Sequence, residues 1–255
     1  MNRLTGRRAL VTGSTGGIGE VVAQALAAEG AHVVVSGRNA ERGRQVVREI
    51  AGKGGSAVFV AADLSAGGPA VTALATEATE AAGGTIDLLV NNAGAIVGAQ
   101  SLFDATEAQI NTVLTLNITV PFLLTAALAR PMVEAGGGAV VNMGSVNGVL
   151  GMSVAALYGA SKAGLHSLTK SFAAELAGQG VRVNTVAPGP TLTKSNAGFH
   201  DQLAAMTTGH PQRRPGTAAE VAAAVVFLAS DEAAHVHGVT LPVDGGLMAV
   251  APGAV

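Results

Sequence analysis

Apolar residues fall along this chain in two alternating patterns. Arg8-Ala9-Leu10-Val11-Thr12 is a short, nearly continuous apolar run, and behind it Ile18, Val21, Val22, Ala25 and Leu26 recur at helical spacing up to Gly30. A continuous run of this length reads as a strand buried on both faces. Recurrence every three or four residues reads as a helix with one face inward. The same reading predicts further strands over 31–36, 57–61, 86–90, 139–143, 181–186 and 239–243. It predicts helices over about 69–82, 106–133 and 218–230. The first of these is rich in Ala and Thr and is expected at the surface. Asn117 falls in the middle of the long helix, where asparagine competes poorly with helix formers. Pro121 follows and removes a backbone donor, so a kink or bulge is expected there. Strands alternating with helices place the chain in the α/β class with a parallel sheet. No low-complexity segment or linker divides it, and residues 1–255 are read as one domain.

Composition narrows the function classes. Hydrophobic residues make up 49% of the chain and charged residues 13%, ample material for a buried core. A net charge near −2 gives no support for nucleic-acid binding. There is no cysteine, hence no disulfide and no thiolate metal site, which fits a reducing, cytoplasmic setting. No metal-ligand cluster is evident either. The apolar runs are interrupted short of a membrane span, and the first residues lack the apolar core of a signal peptide, so no membrane partner is expected.

Several short segments could carry chemistry. Gly13-Ser14-Thr15-Gly16-Gly17-Ile18-Gly19 joins the first strand to the first helix. In that context Gly13 permits a tight turn, Gly17 lets the backbone approach a pyrophosphate, and Gly19 lets the helix pack closely on the strand. The second strand ends in Ser36-Gly37-Arg38. An acid there would bind both ribose hydroxyls of NAD; none is present, and a guanidinium is available instead. The blander possibility is that Ser36 caps a helix and Arg38 is solvated. Asp63, before Leu64, suits either an adenine edge or a helix cap. Asn91-Asn92-Ala93-Gly94 ends the fourth strand as a ligand crevice or an asparagine-stabilised turn, and Ser145 follows the fifth strand. Tyr158, the only tyrosine, precedes Lys162 by four residues, so on a helix both reach one pocket. An ammonium beside a phenol is expected to lower its pKa and make it a usable acid–base group.

Thr12-Gly13-x-x-x-Gly17-x-Gly19, Asn91-Asn92-Ala93-Gly94, Asn117, Ser145 and Tyr158-x-x-x-Lys162 together resemble the short-chain dehydrogenase/reductase superfamily in order and spacing. The likeness extends through Arg182–Gly189 and Leu241–Gly246 and covers about residues 4–248. It is closest to the branch that holds 3-oxoacyl-carrier-protein reductases and alcohol and sugar dehydrogenases. The resemblance implies one doubly wound Rossmann-type domain, a seven-stranded parallel sheet with helices on both faces. It implies an NAD(P)-dependent oxidoreductase moving a hydride between a nicotinamide cofactor and a secondary alcohol or ketone. Tyr158 would be the acid–base group, Lys162 would tune it and hold the nicotinamide ribose, Ser145 would hold the substrate oxygen, and Asn117 would anchor a water in the proton relay. The cofactor set would be Gly13, Ser14, Thr15, Gly17, Ile18, Gly19, Ser36, Arg38, Asp63, Leu64, Asn91, Ala93, Gly94, Tyr158, Lys162, Pro188, Gly189, Thr191 and Thr193. Residues of about 191–212 would form a flexible substrate lid, in which His200 and His210 could meet substrate.

Three finer expectations follow. Ser36 and Arg38 favour NADP(H) over NAD(H), although Gly16 stands where many NADP-using relatives carry a second base. The resemblance implies a homotetramer, with the apolar tail Leu247–Ala251 at a subunit contact. The substrate is expected to be a free small molecule, because Met132–Gly138 lacks Lys and Arg to steer an acidic carrier, with Arg130 close by. The rival readings are a dinucleotide-binding regulator on the same fold and a 3-oxoacyl-carrier-protein reductase. The intact Asn117, Ser145, Tyr158 and Lys162 set favours an enzyme over the regulator.

Overall fold

The first apolar run forms β1 (Arg8–Val11), and the glycine-rich turn leads into α1 (Gly17–Ala28). There follow β2 (His32–Gly37), α2 (Ala40–Gly52), β3 (Ser56–Ala61), α3 (Gly68–Ala81) and β4 (Leu88–Asn91). The computed structural model describes residues 2–96, 98 and 101–250. Its second half comprises α4 (Glu107–Leu114), α5 (Val120–Glu134), β5 (Gly138–Met143), α6 (Ala156–Leu176) and β6 (Val181–Pro188). A short β7 (Thr191–Leu192), α7 (His200–Thr207), β8 (Gly216–Thr217), α8 (Ala218–Ala229) and β9 (Thr240–Val243) complete it.

Seven strands make one parallel sheet in the order β3-β2-β1-β4-β5-β6-β9. The fold is therefore the doubly wound Rossmann type that the resemblance implied. Alternate residues of each strand face opposite sides. Ala9 and Val11 join Val22, Leu26, Val33, Val35, Val225 and Leu228 on the face that carries α1 and α8. Leu10 joins Val34, Leu74, Leu89, Leu124 and Leu128 on the other, with α3 and α5. Both faces are covered, which is why the strands read as continuous rather than alternating apolar runs. Leu10, Leu89 and Leu124 are wholly buried, and truncating any one to alanine is expected to cost about 2–5 kcal/mol.

Two helices differ from the sequence reading. α2 is too charged to announce itself, since only Val46 and Ile50 among its large residues are buried; Asn39 caps it by accepting from the Arg42 N–H at 3.0 Å. α3 is half-buried rather than superficial, with Val71, Leu74 and Ala78 inside and its Thr and Glu outward.

The expected irregularity in the long helix is a π-helical turn at Thr115–Thr119, between α4 and α5. Pro121 has no N–H, so the carbonyl of Asn117 lacks its α-helical donor, and the backbone widens to i→i+5 bonding, as from Val120 to Thr115. The helical stretch Glu107–Glu134 is long and apolar enough to cross a membrane, contrary to the expectation that no run would be. Its apolar side is occupied in the fold: Val113, Val120, Leu124, Leu128 and Met132 are buried.

β1 connects outward to β2 and β3, whereas β4 leads the opposite way to β5, β6 and β9. The crevice beyond the carboxyl ends of β1 and β4 is thus the switch point where ligands bind in open α/β sheets.

Candidate active site

At the switch point the ends of β1 and β4 are stitched together. The Thr12 hydroxyl donates to Val90 O at 3.3 Å and accepts from the backbone N–H groups of Asn92 and Ala93 at 3.0 and 2.9 Å. The Asn92 amide donates to Thr12 O and Gly13 O at 2.8 and 3.1 Å. A Cβ on Gly13 (φ 62°) would lie 2.9 Å from Ala93 Cα, and one on Gly19 would press into the Asn92 amide. Gly16 and Gly17 face the other way. Among the described residues, nothing lies within 4 Å of a Cβ placed at Gly16, and only Ser195 Oγ, at 3.4 Å, approaches Gly17. α1 starts here with no side-chain cap, so its first amides aim at open space. That is a donor set for a dinucleotide pyrophosphate. Ser14 serves the turn itself: it is buried, donates to Val11 O at 2.7 Å and accepts from Ser36 N at 3.0 Å.

Beyond the turn, a cavity of about 570 Å³ is lined by Thr15, Ser36, Arg38, Asp63, Leu64 and Ala93, among others. Asp63 caps the following turn, accepting from Ser65 N and Oγ at 3.1 and 2.7 Å. The Ser65 hydroxyl first, and the Arg38 charge least, hold its carboxyl below the ordinary range. Thr15 also borders an adjoining cavity of about 280 Å³ with Gly16, Arg42 and Lys194. Lys194 is tied to Glu20 at 3.2 Å. Among the described residues, Arg38 and Arg42 have no ion pair.

Asn91 turns from the crevice. Its amide donates to Thr125 Oγ1 and Asn142 Oδ1 at 3.2 and 2.9 Å, and its own Oδ1 is buried without a partner among the described residues. Only its backbone reaches the ligand side. Gly94 is the point of closest approach, where a Cβ would stand 2.9 Å from Asn117 Oδ1 and 3.6 Å from Lys162 Nζ.

Asn117, Ser145, Tyr158 and Lys162 converge around one cavity of about 650 Å³, which Ser145, Tyr158 and Lys162 line directly. Asn117 is fully buried, and the π turn aims it at the loop after β4: it accepts from Ala95 N at 2.8 Å and donates to Ala95 O at 3.0 Å and Ser161 Oγ at 2.9 Å. Ser145 begins a short 3-10 turn (Val146–Gly148), and its hydroxyl accepts from Asn147 N at 3.2 Å. Ser145 and Tyr158 line the cavity side by side. Lys162 is buried, donates to Met143 O at 2.7 Å and sits 5.7 Å from the centroid of the Tyr158 ring.

The electrostatics differ from the simple expectation that Lys162 lowers the phenol. Burial pushes the Tyr158 phenol up, with only the neighbouring Ser145 hydroxyl acting against it. The same burial lowers Lys162 to about 8. The ammonium lies over the ring and is anchored on β5, rather than at the hydroxyl, which accounts for the difference.

Sequence reading missed His166, one turn beyond Lys162 on α6. It is buried, and its Nε2 accepts from Ser145 N at 3.4 Å, so the neutral ring carries its proton on Nδ1. Burial first, then the charges of Lys162 and Lys170, bring it down to about 4. Arg42 was missed too, while Thr12, Asn92 and Ser195 fell inside the motifs and the lid that were read but were given no role of their own. A helical repeat of four from Tyr158 through Lys162 was the available signal for His166; the others act across the fold and leave no local one.

The segment after β6 closes the cavity. Pro188 and Gly189 line it, Gly189 N donates to Val243 O at 3.0 Å, and β7 pairs with β8. Within the expected cover, residues 194–207 form a 3-10 turn and α7. Asn196 binds Thr191 O and accepts from Thr193 N at 2.9 and 2.8 Å, and Thr193 meets Ser195 Oγ at 3.0 Å. The His200 ring is spent inside this segment, against Thr193 O and Asn196 Oδ1 at 3.0 and 3.1 Å. His210 does line the cavity. Leu247 of the apolar tail lines it as well, and Ala251 lies outside the described residues.

Comparison with known proteins agrees with this geometry. The family model described as Enoyl-(Acyl carrier protein) reductase matches residues 13–248. Nodulation protein G of Rhizobium sp. (strain N33) is 41% identical over 249 residues, spanning 97% of this chain and 99% of that protein. The 3-oxoacyl-acyl-carrier-protein reductase FabG of Escherichia coli (strain K12) is 39% identical over 246 residues, spanning 96% and 98%. A crystal structure of a gluconate 5-dehydrogenase from Burkholderia cenocepacia J2315, in complex with NADP and tartrate, superposes with a TM-score of 0.88 at 36% identity, covering 98% of each chain.

Proposed function

This chain belongs to the short-chain dehydrogenase/reductase superfamily, in the 3-oxoacyl-acyl-carrier-protein reductase-like branch, and on that premise we propose that Tyr158 is its acid–base group. The protein is an NAD(P)-dependent oxidoreductase acting on CH–OH and keto groups. One observation carries the assignment of roles: the half-buried Tyr158 phenol and Ser145 line one cavity of about 650 Å³, with the buried Lys162 ammonium 5.7 Å from the centroid of the phenol ring.

The Ser145 and Tyr158 hydroxyls hold the substrate oxygen between them. Because burial keeps the phenol protonated, Tyr158 is poised to donate a proton to the developing alkoxide in reduction. When bound, the nicotinamide supplies or accepts the hydride. Lys162 holds the nicotinamide ribose, and its lowered affinity for protons lets it pass one on toward Tyr158 near neutral pH. The Asn117 carbonyl, freed by Pro121, supports its role as anchor for a relay water, while its side chain fixes the loop at Ala95. His166 positions Ser145 through the backbone.

The turn from Gly13 to Gly19 holds the pyrophosphate, Asp63 and Leu64 flank the adenine, and Ala93, Gly94, Pro188, Gly189, Thr191 and Thr193 border the nicotinamide half. NADP(H) is the preferred cofactor: Ser36 and Arg38 border the ribose end with no carboxylate from β2 to repel a 2′-phosphate. Arg42, across Thr15, offers the second cation that Gly16 does not. The whole chain acts as one domain, with about 191–212 as its cover. The substrate is a free alcohol or ketone rather than one on a carrier protein. Assembly is homotetrameric, a reading supported by exposed Leu114, Phe122 and Leu123 on the α4–α5 side. The lack of cysteine supports a cytoplasmic site of action.

The test is Tyr158→Phe. Turnover is expected to fall about 10²–10⁴-fold while cofactor affinity is kept. Normal turnover by that variant would refute the assignment.

A further inference from the structure

The cavity that holds Ser145 and Tyr158 is lined by a set of large apolar side chains. Ile96 from the loop after β4, Leu150 and Met152 from the loop after β5, Leu203 and Met206 from α7, and Leu247 from the C-terminal loop all face it. Four separate segments thus converge on one volume with aliphatic or thioether side chains. Several of these are strongly exposed, at 69% for Ile96, 45% for Met152 and 50% for Met206. Large apolar groups left in water around a cleft gain free energy only when something apolar covers them.

The polar side chains around the same volume are mostly committed elsewhere. Thr191 donates to Gly189 O at 2.8 Å, Asn196 is bonded to Thr191 O and Thr193 N, and Asn92 is bonded to Thr12 O and Gly13 O. The Asn147 amide meets Met152 Sδ at 3.8 Å. Among the described residues, no Arg, Asp or Glu lines the cavity, and its one lysine, Lys162, is anchored on Met143 O. His210 is the remaining uncommitted polar group on the wall.

We infer that the natural substrate is an uncharged, largely apolar ketone or secondary alcohol, presenting one oxygen to Ser145 and Tyr158 and an alkyl or ring portion to these walls. This rests on the acid–base reading given above. A carboxylate on the substrate would shed its water with no free cation to receive it. A polyhydroxylated chain would leave several hydroxyls unpaired against Leu and Met, each at a cost in affinity. An alkyl chain instead gains with every methylene that leaves water.

The test uses the full-length protein with NADPH. In the first arm, kcat/KM is measured for 2-alkanones of increasing length and for a keto-hexonate. We expect a rise of roughly fourfold per methylene until the cavity is filled, from the transfer value of a buried CH₂. The keto-hexonate is expected to be at least about 100-fold poorer than the best alkanone, in line with leaving a charge and hydroxyls unanswered. In the second arm, Tyr158→Phe loaded with NADPH is titrated with the same compounds by nicotinamide fluorescence, which no tryptophan obscures because the chain has none. Affinity is expected to climb with alkanone length and to be weak for the keto-hexonate. In the third arm, Met206→Lys, with Leu203→Arg as a second variant, is expected to move the ratio of rates toward the keto-hexonate by tenfold or more.

A flat response to chain length, better binding of the keto-hexonate, or no alkanone binding in the second arm overturns the proposal. Tyr158-dependent turnover of the keto-hexonate alone overturns the substrate class but leaves the acid–base reading standing. Length-dependent alkanone binding and turnover that survives in Tyr158→Phe has the opposite meaning: the class stands and the acid–base reading falls.

Discussion

Lys162 should make the apo protein less stable than it would be without it. Its ammonium is buried, and burial brings it from the ordinary 10.5 down to about 8. At about 1.4 kcal/mol for each tenfold change in proton affinity, keeping the charge inside costs roughly 3 kcal/mol at pH 7. Lys162→Met keeps the length and removes the charge. It also takes the donor from Met143 O, bonded at 2.7 Å, a loss of about 1–2 kcal/mol. The difference favours the variant by about 1–2 kcal/mol, and a chain of this size should then melt roughly 3–6 °C higher.

The pH dependence has a definite sign. The unfolded chain keeps this proton up to about 10.5, whereas the folded one releases it near 8. Between those values the unfolded state binds more protons, so wild-type stability rises with pH; below about 8 the full penalty applies. By pH 10 less than about 1 kcal/mol of penalty should remain, smaller than the lost hydrogen bond, and the order of the two proteins should reverse. Far-UV circular dichroism melts at pH 7, 8, 9 and 10, at fixed protein concentration, test this. A wild type that melts higher at pH 7, or a difference that stays flat to pH 10, would refute the account. The variant should also lose most turnover if Lys162 has the role proposed.

Four other outcomes are expected. Arg38→Ala and Arg42→Ala should each lower the ratio of kcat/KM for NADP(H) over NAD(H) roughly tenfold, as charged hydrogen bonds are worth; an unchanged ratio removes that residue from phosphate recognition. Val154 is β-branched and exposed with φ 58°, so Val154→Gly should stabilise the fold by about 1 kcal/mol in a calorimetric melt, and a lower melting point would show that its conformation is not strained. Light scattering at micromolar concentration should give the tetramer mass, and monomer mass alone would exclude the proposed assembly. A carrier-bound 3-oxoacyl thioester should be reduced no better than its free analogue; a strong preference for the carrier form would revive the carrier-protein reading.

Much of the fold and part of the site were legible because they are written locally. Strands covered on both faces give continuous apolar runs, so seven of the nine strands could be placed within a few residues. The short β7–β8 pair could not, because two residues carry no periodicity. Tyr158 and Lys162 announce themselves by helical spacing, and Pro121 announces a disturbed helix four residues after Asn117. What stayed hidden depends on contacts between distant segments. Asn92 bonds back to Thr12 and Gly13 across about 80 residues, and Ser195 sits over Gly17 from the far side of the chain. The direction of the Tyr158 shift was hidden for the same reason: it is set by burial, which no spacing of two residues reveals.

The departures from local rules also share a location. An asparagine stands mid-helix, a proline widens its turn, a lysine is buried without a carboxylate, and a valine is held in the left-handed region. Each is unfavourable where it stands, and a fold under pressure only for stability would not keep it. Asn117 and Pro121 shape the loop that carries Ala95 and Ile96; Lys162 underlies Tyr158; Val154 lies in the loop that brings Tyr158 onto α6. All four therefore bear on the one cavity between β4, β5 and α7. Their removal should follow one pattern: Lys162→Met and Val154→Gly are expected to raise stability, and substitutions at Asn117 or Lys162 to lower turnover. Stability and turnover moving in opposite directions at Lys162 would tie the stored cost to the chemistry, whereas a fall in both would make Lys162 a structural residue.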